Sequence, residues 1–197
     1  MGSEETDLQF VLASASPRRR ELMELLGAAP LKILPAVGEE RADPGLTGGA
    51  LAEALALHKA REVAVQCSDE DIVIGADTIV CLGETVFGKP HDEADAAHML
   101  RALSGRTHTV YTGVAVVQGE TVRTHAEATE VRFRALTDAE IAGYIATREP
   151  MDKAGAYGIQ GKGALLISGI DGDFFNVMGL PVCALGEMLK EFGIKVL

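Results

Sequence analysis

The chain has 197 residues, 47% of them apolar and 24% charged, with a formal net charge of −11. That length and apolar content suit one large domain, or two lobes sharing a cleft, and exclude a disordered or low-complexity protein. The acidic balance argues against a nucleic-acid-coating or basic membrane-surface protein, so any polyanion site must gather its few cations locally and recruit a divalent metal.

Residues 1–7 are expected to lie outside the fold, either disordered or left over from expression. The apolar run Phe10-Val11-Leu12-Ala13 reads as a buried strand, followed by a serine-rich turn and a helix over 17–26. Ser16 suits the N-cap, Pro17 the first helical position, and Gly27 the C-terminal stop. Three arginines, Arg18 to Arg20, open this helix, where the dipole already disfavours cations. Ser14, the turn amides, Arg18 and Arg19 therefore read as a phosphate cradle, and otherwise as a solvated helix start.

A short strand over 31–34 leads into the loop Val37 to Arg41. Glu39 and Glu40 in that loop are either metal ligands or solvated surface acids. An alanine- and leucine-rich helix follows over 50–65, carrying Lys59 as a phosphate contact or an ordinary solvated lysine. The run Ile72-Val73-Ile74-Gly75-Ala76 is a second buried strand ending at Asp77, with Gly75 and Ala76 leaving room for a ligand. Asp77 thus stands where an α/β sheet delivers carboxylates into a crevice, to hold Mg²⁺ or Mn²⁺, to act as general base, or only to cap a turn. The strand continues through Leu82 to a hairpin turn at Gly83-Glu84. Lys89, between Gly88 and Pro90, is a loop lysine able to reach a phosphate or merely to occupy a turn.

Asp92 caps a helix that reaches Leu103 and stops at Gly105. Strands over 111–117 and 121–133 join around Gln118-Gly119, and Thr137 to Glu140 forms a capping box for a helix ending before Pro150. A glycine-rich loop over 151–163 contains Tyr157 and Gln160. The Gln160 amide matches the carbonyl and N–H edge of uracil or thymine, although such glycines also serve as plain turns. A strand over 164–170 and a closing helix over 181–192 complete the chain. Interspersed helices and hairpin-like strands predict an α/β fold with a mixed sheet.

Cys67, Cys81 and Cys183 are far apart and odd in number, which points to a reducing compartment. With no signal, spanning or lipidation motif visible, the cytoplasm is the expected location. The five histidines show no His-x-x-x-His spacing, so a histidine zinc site is not expected. Nucleophile-elbow, Walker-type and dinucleotide fingerprints are also missing from the sequence.

As an ordered set, Ser14-Ala15-Ser16-Pro17-Arg18-Arg19, Gly75-Ala76-Asp77-Thr78, Gly88-Lys89-Pro90, Tyr111-Thr112-Gly113-Val114, Asp152 to Gln160 and Val177 to Pro181 resemble the Maf family of nucleotide pyrophosphatases. The resemblance covers residues 10–192. It implies a single catalytic domain over 8–197, with a two-lobed mixed sheet, flanking helices and a central cleft similar to the inosine-triphosphate pyrophosphatases. It further implies cleavage of a nucleoside triphosphate to the monophosphate and pyrophosphate with Mg²⁺ or Mn²⁺. The family's proton acceptor matches Asp77, and the residues tied to substrate choice match Arg18, Thr78 and Gln160. The branch preferring dTTP and UTP resembles this chain at all three. A branch directed at 7-methyl-GTP typically has tryptophan in place of Arg18 and lacks Tyr-Gly-Ile-Gln.

On this reading Asp77 and Lys89 are the catalytic side chains. Ser14, Arg18, Arg19, Lys59, Thr78 and Gln160 bind substrate, and Glu39 or Glu40 joins Asp77 at the metal. No nucleic-acid or membrane partner is expected, and a homodimer is compatible with the reading. A rival function is a nucleotide-binding regulator of septum formation acting without turnover. A single-stranded nucleic-acid binder would need a basic face and more than the nine Phe and Tyr residues present.

Overall fold

In the computed structural model, which describes residues 8–39 and 42–196, one seven-stranded mixed sheet carries helices on both faces. Its strands are β1 (Phe10–Leu12), β2 (Leu31–Ile33), β3 (Ile72–Leu82), β4 (Thr85–Phe87), β5 (Thr107–Gln118), β6 (Thr121–Phe133) and β7 (Ile167–Asp171). They run in the order β2-β1-β3-β5-β6-β7, with β4 added to β3. Only the β1–β2 and β1–β3 pairs are parallel. The expected N-terminal tail, residues 1–7, lies outside the described residues.

Helix ends follow local chemistry. In α1 (Pro17–Leu25), the Ser16 side chain accepts from the Arg19 amide and Pro17 occupies the first turn. Asp92 caps α3 (Glu93–Leu103) by accepting from the Asp95 amide at 2.8 Å. Thr137 and Glu140 form the reciprocal capping box of α4 (Asp138–Ala146). Gly27 and Gly105 take positive φ just past their helices, as a chain reversal there requires.

The long strands β3, β5 and β6 pass through both lobes. Toward one end, β1, α1 and α6 (Val182–Lys190) close over Leu12, Met23, Ile72, Ile74, Leu185 and Leu189, all fully buried. Toward the other, α3 and α4 close over Leu100, Leu103, Val110, Val131 and Ile141. The opposite face of the sheet receives α2 (Gly48–Ala64). Ala52, Ala56 and Ala60 repeat every four residues along α2 and have no exposed surface.

Those alanines bring backbone onto backbone. A Cβ at Gly75 would overlap the Ala56 carbonyl oxygen, and one at Gly113 would overlap the Ala52 carbonyl. The space beside Gly75 therefore belongs to α2 rather than to a ligand, which corrects the expectation from sequence. Ala76 points to the other face and is buried in the α1–α6 core.

Several boundaries also move. β5 begins at Thr107, four residues before the apolar run suggests, because its polar start pairs through to Arg132 of β6. The strand expected from Ala164 begins at Ile167, since residues 161–166 form a 3-10 turn. The helix α5 (Phe174–Met178) has no counterpart in the sequence reading. Its five residues are too short for a periodic signal, and the Asp173 side-chain cap fixes it.

Candidate active site

One edge of β3 is interrupted. β5 covers the other edge continuously from Val73 to Cys81. On the interrupted edge, β1 pairs only with Ile72 to Ile74 and β4 only with Val80 to Leu82. After Ala13, whose amide still binds the Ile74 carbonyl at 2.8 Å, the chain turns away into Ser14 and α1. The missing pairs leave a gap opposite residues 75–79, and there a cleft of about 840 Å³ separates the lobes. Asp77 is thus a mid-strand residue at the gap, not the end of a strand.

Side chains alternate across a strand, so Asp77 and Thr78 leave the gap on opposite faces of the sheet. Asp77 faces α2, where Lys59 forms an ion pair with its carboxylate. Both side chains are largely buried, at 12% and 17% exposure, so the pair is shielded from the screening that weakens surface bridges. Its position follows from packing: the alanine face of α2 at Gly75 and Gly113 sets the Lys59 stem above Asp77.

Thr78 faces α1 and α5. Its hydroxyl meets Arg19 Nη2 at 3.0 Å and Thr112 Oγ1 at 2.9 Å. Arg19 also donates through Nε to the Gly179 carbonyl at 2.7 Å and through Nη1 to Ser14 Oγ at 3.2 Å. The guanidinium that the sequence reading places on phosphate therefore ties together Ser14, Thr78 and the end of α5. Gly179 sits at φ 113°, where a Cβ would approach both Thr78 and Arg19.

The facing wall consists of 3-10 turns over 149–166. Arg18 reaches toward it, with Nη1 3.9 Å from the Asp152 carboxylate. Burial alone would raise the Asp152 carboxyl, but the Lys153 hydrogen bond and charge, with Arg18 beyond, hold it below the usual carboxylate range. Lys153 donates to the Glu149 carbonyl and the Asp152 carboxylate, both at 2.6 Å. The Glu149 carboxylate in turn accepts from the Lys162 and Gly163 amides. Tyr144 accepts from the Gly158 amide at 3.2 Å, and burial pushes its hydroxyl up to about 12. Behind the wall, Tyr157 bonds His108 Nε2 at 2.7 Å, and both stack edge-on with Phe133. Burial lowers His108 to about 4.

The cleft lining brings together Ser14, Arg18, Arg19, Lys59, Asp77, Thr78, Lys89 and Gln160. Lys89 and Gln160 are exposed at its rim from opposite segments. Glu39 is exposed and not among the lining residues; its carbonyl is held by His58 at 3.0 Å. Glu40 lies outside the described residues. Glu149, Lys153 and Thr112 were not singled out as site residues from the sequence, although Thr112 and Lys153 fall inside the quoted motifs.

With Lys153, five cations face three carboxylates in the cleft, a net positive patch in a chain of charge −11. That focuses the field for a polyanion. The donor set suits a hard cation: Mg²⁺ takes one or two carboxylates and completes its shell with water and substrate phosphate, and Asp77 supplies such an oxygen at the gap. No group of three ligating side chains occurs among the described residues.

Comparison with known proteins gives a consistent picture. A family model described as Maf-like protein matches residues 9–192. A dTTP/UTP pyrophosphatase of Moorella thermoacetica is 56% identical over 191 residues, covering 95% of this chain and 97% of the relative. One from Bacillus velezensis is 50% identical over 187 residues, covering 95% and 98%. Among solved structures, a HAM1 protein from Coxiella burnetii superposes with a TM-score of 0.50 at 17% identity, over 93% of this chain and 99% of that one, a likeness of fold.

Proposed function

The chain belongs to the Maf family, and from that premise we propose that residues 8–197 act as one catalytic domain that hydrolyses dTTP and UTP to the monophosphate and pyrophosphate. The observation that carries the reading is the interrupted edge of β3, which opens Asp77 into a net positive cleft large enough for a nucleotide. No helix among the described residues is long and apolar enough to cross a membrane, and the cytoplasm is the proposed location.

Binding begins with the triphosphate. Ser14, the amides opening α1, Arg18 and Lys89 converge on it from both lobes, while Arg19 holds Ser14 in place. Lys59 fixes the direction of the Asp77 carboxylate. Asp77 then takes the proton of the water that attacks the α-phosphorus, and Lys89 meets charge on the departing pyrophosphate. Mg²⁺ or Mn²⁺ held at Asp77 would supply further charge neutralisation on the phosphate oxygens; Glu39 stands exposed outside the cleft lining, which leaves Glu40 as the proposed second carboxylate. Gln160, exposed in the cleft lining, offers the amide that would read the base edge.

The test is product analysis of UTP, dTTP, CTP, GTP, ITP and 7-methyl-GTP incubated with the protein and Mg²⁺ or Mn²⁺. UMP or dTMP plus pyrophosphate is expected. Preferred cleavage of ITP or 7-methyl-GTP would overturn the pyrimidine assignment. Binding without turnover of any of them would replace catalysis with the regulatory role.

A further inference from the structure

Gln160 occupies the N-cap position of the 3-10 turn over 161–166, with extended backbone at φ −93° and ψ 169°. An N-cap side chain ordinarily accepts from the second or third amide of its own helix, a reach suited to serine, threonine, aspartate or asparagine. Gln160 makes no such bond. The second and third amides, those of Lys162 and Gly163, instead meet one oxygen of the Glu149 carboxylate, Oε2, at 3.1 and 3.4 Å. Gly161 makes room for that carboxylate: a Cβ there would stand 3.0 Å from both Glu149 oxygens. Glu149 thus caps the turn from outside it, and the Gln160 amide is not drawn back onto its own backbone.

The segment carrying Gln160 is held at both ends. At its start, the Gly158 amide donates to the buried Tyr144 hydroxyl at 3.2 Å. At its finish, Gly163 lies so close to the start that a Cβ would stand 2.1 Å from the Gly158 carbonyl oxygen. The chain between them closes on itself, and Gln160 is exposed on it in the cleft lining.

We infer that Glu149 is a positioning residue that caps the 161–166 turn in place of Gln160, and that it thereby leaves the Gln160 amide to the nucleotide base. This rests on the proposed place of Gln160 at the base edge. Without the carboxylate, the Lys162 and Gly163 amides lack their acceptor, and the side chain at the N-cap position is the one drawn back to them. Base contact is then lost, while the phosphate contacts on the opposite wall stay as they are.

The experiment sets kcat/KM for UTP beside the inhibition constant of ribose 5-triphosphate, which carries the sugar and phosphates but no base. Charge lost from the cleft moves both readings together; a lost base contact moves only the first. Both are measured in the wild type, Glu149→Met, Glu149→Gln, Gln160→Ala and the Glu149→Met/Gln160→Ala double variant. Methionine keeps the unbranched length without a strong acceptor, and glutamine loses the charge but keeps one oxygen, as many as the two amides share. In Glu149→Met, kcat/KM for UTP is expected to fall about tenfold relative to the affinity for ribose 5-triphosphate, as for one lost hydrogen-bonded contact. Glu149→Gln is expected to recover most of that loss, and the double variant to lose no more than Gln160→Ala alone. Parallel changes in both readings, a loss in Glu149→Gln as large as in Glu149→Met, or additive losses in the double variant would each overturn the inference. If Glu149→Met does not fold, Glu149→Asp, which keeps the charge but draws the oxygens back by one methylene, takes its place. A loss confined to UTP then supports the inference, and wild-type values or a parallel change overturn it. An unchanged kcat/KM in Gln160→Ala would remove Gln160 from the base edge, and the inference falls with it. A wild-type protein that does not turn over UTP fails one step earlier, at the activity itself.

Discussion

The wall formed by Ser14 to Arg19 and Lys59 stands on regular helices, whereas the wall over 149–161 is built of 3-10 turns joined through left-handed residues. The first needs only short-range rules: a serine cap, a proline at the first helical position, alanines repeating along one face of α2. The second requires positive φ at Arg148, Gly155, Ala156 and Gly161. Distant partners hold it: Gly155 donates to the Gly88 carbonyl at 3.0 Å, and Tyr157 leans on His108. Charge is therefore presented by rigid elements on one side and by a tertiary assembly on the other. A nucleotide contacting both walls would bridge two parts of the fold stabilised in different ways.

The sharpest difference should appear at the floor between them. Asp77→Asn is expected to cut turnover on the order of 10³-fold or more in a protein that still folds, with a lowered melting temperature because Lys59 loses its buried counter-charge, measured by pyrophosphate release beside a thermal melt. Near-normal turnover would remove Asp77 from its proposed role.

Disturbing the regular wall from behind comes next. Gly75→Ala drives a methyl into the α2 backbone, which has no flexible end to yield, and is expected to destabilise by about 3 kcal/mol or more. Gly88→Ala meets nothing within 4 Å and should stay within about 0.5 kcal/mol, both read from denaturant midpoints. Equal effects would mean that backbone contact does not position α2.

The irregular wall carries its own pH signature. His108 titrates near 4 in the folded protein and near its ordinary 6.5 when unfolded. Between those values the unfolded chain binds the extra proton, so this stability is complete above pH 6.5 and is lost as pH falls through about 4. The full loss is of order 3 kcal/mol. Denaturation at pH 7.5 and 4.5 should show a smaller difference in His108→Phe than in the wild type. An unchanged difference would show that the acid sensitivity arises elsewhere.

A small gain is expected at Arg148, φ 67°, whose side chain, among the described residues, forms an exposed pair with Glu93. Arg148→Gly relieves a left-handed non-glycine residue, worth about 1 kcal/mol, and loses a surface bridge worth less. A slightly higher melting temperature is the expected reading; a clear drop would assign the exposed pair a structural role.

Legibility in the sequence followed the same division. Ser16, Pro17, Asp92, Thr137 and Glu140 announced their helix ends because capping acts within three or four residues. Asp77, Lys59 and Lys89 could be flagged as chemically apt, but their meeting in one cleft depends on strands more than sixty residues from β1. The quoted motifs enclosed Thr112 and Gly179 without indicating what either does, since their partners Thr78, Asn176 and Arg19 lie on other elements. Gly75 was read as space for a ligand because sequence shows that a side chain is missing and not what fills its place.

By itself, then, the sequence determined the main helices and strands and the mixed α/β class, and it marked the α1 start as a candidate polyanion site, all consequences of hydrophobic period and local capping. Only the tertiary structure decided that β1 and β4 share one edge of β3 and leave a gap between them. It also set α2 against Gly75 so that Lys59 meets Asp77, and it brought the Glu149 carboxylate onto the amides beyond Gln160. Strand pairing, close packing and capping from another turn are relations between distant residues, and none exists until the chain has brought them together.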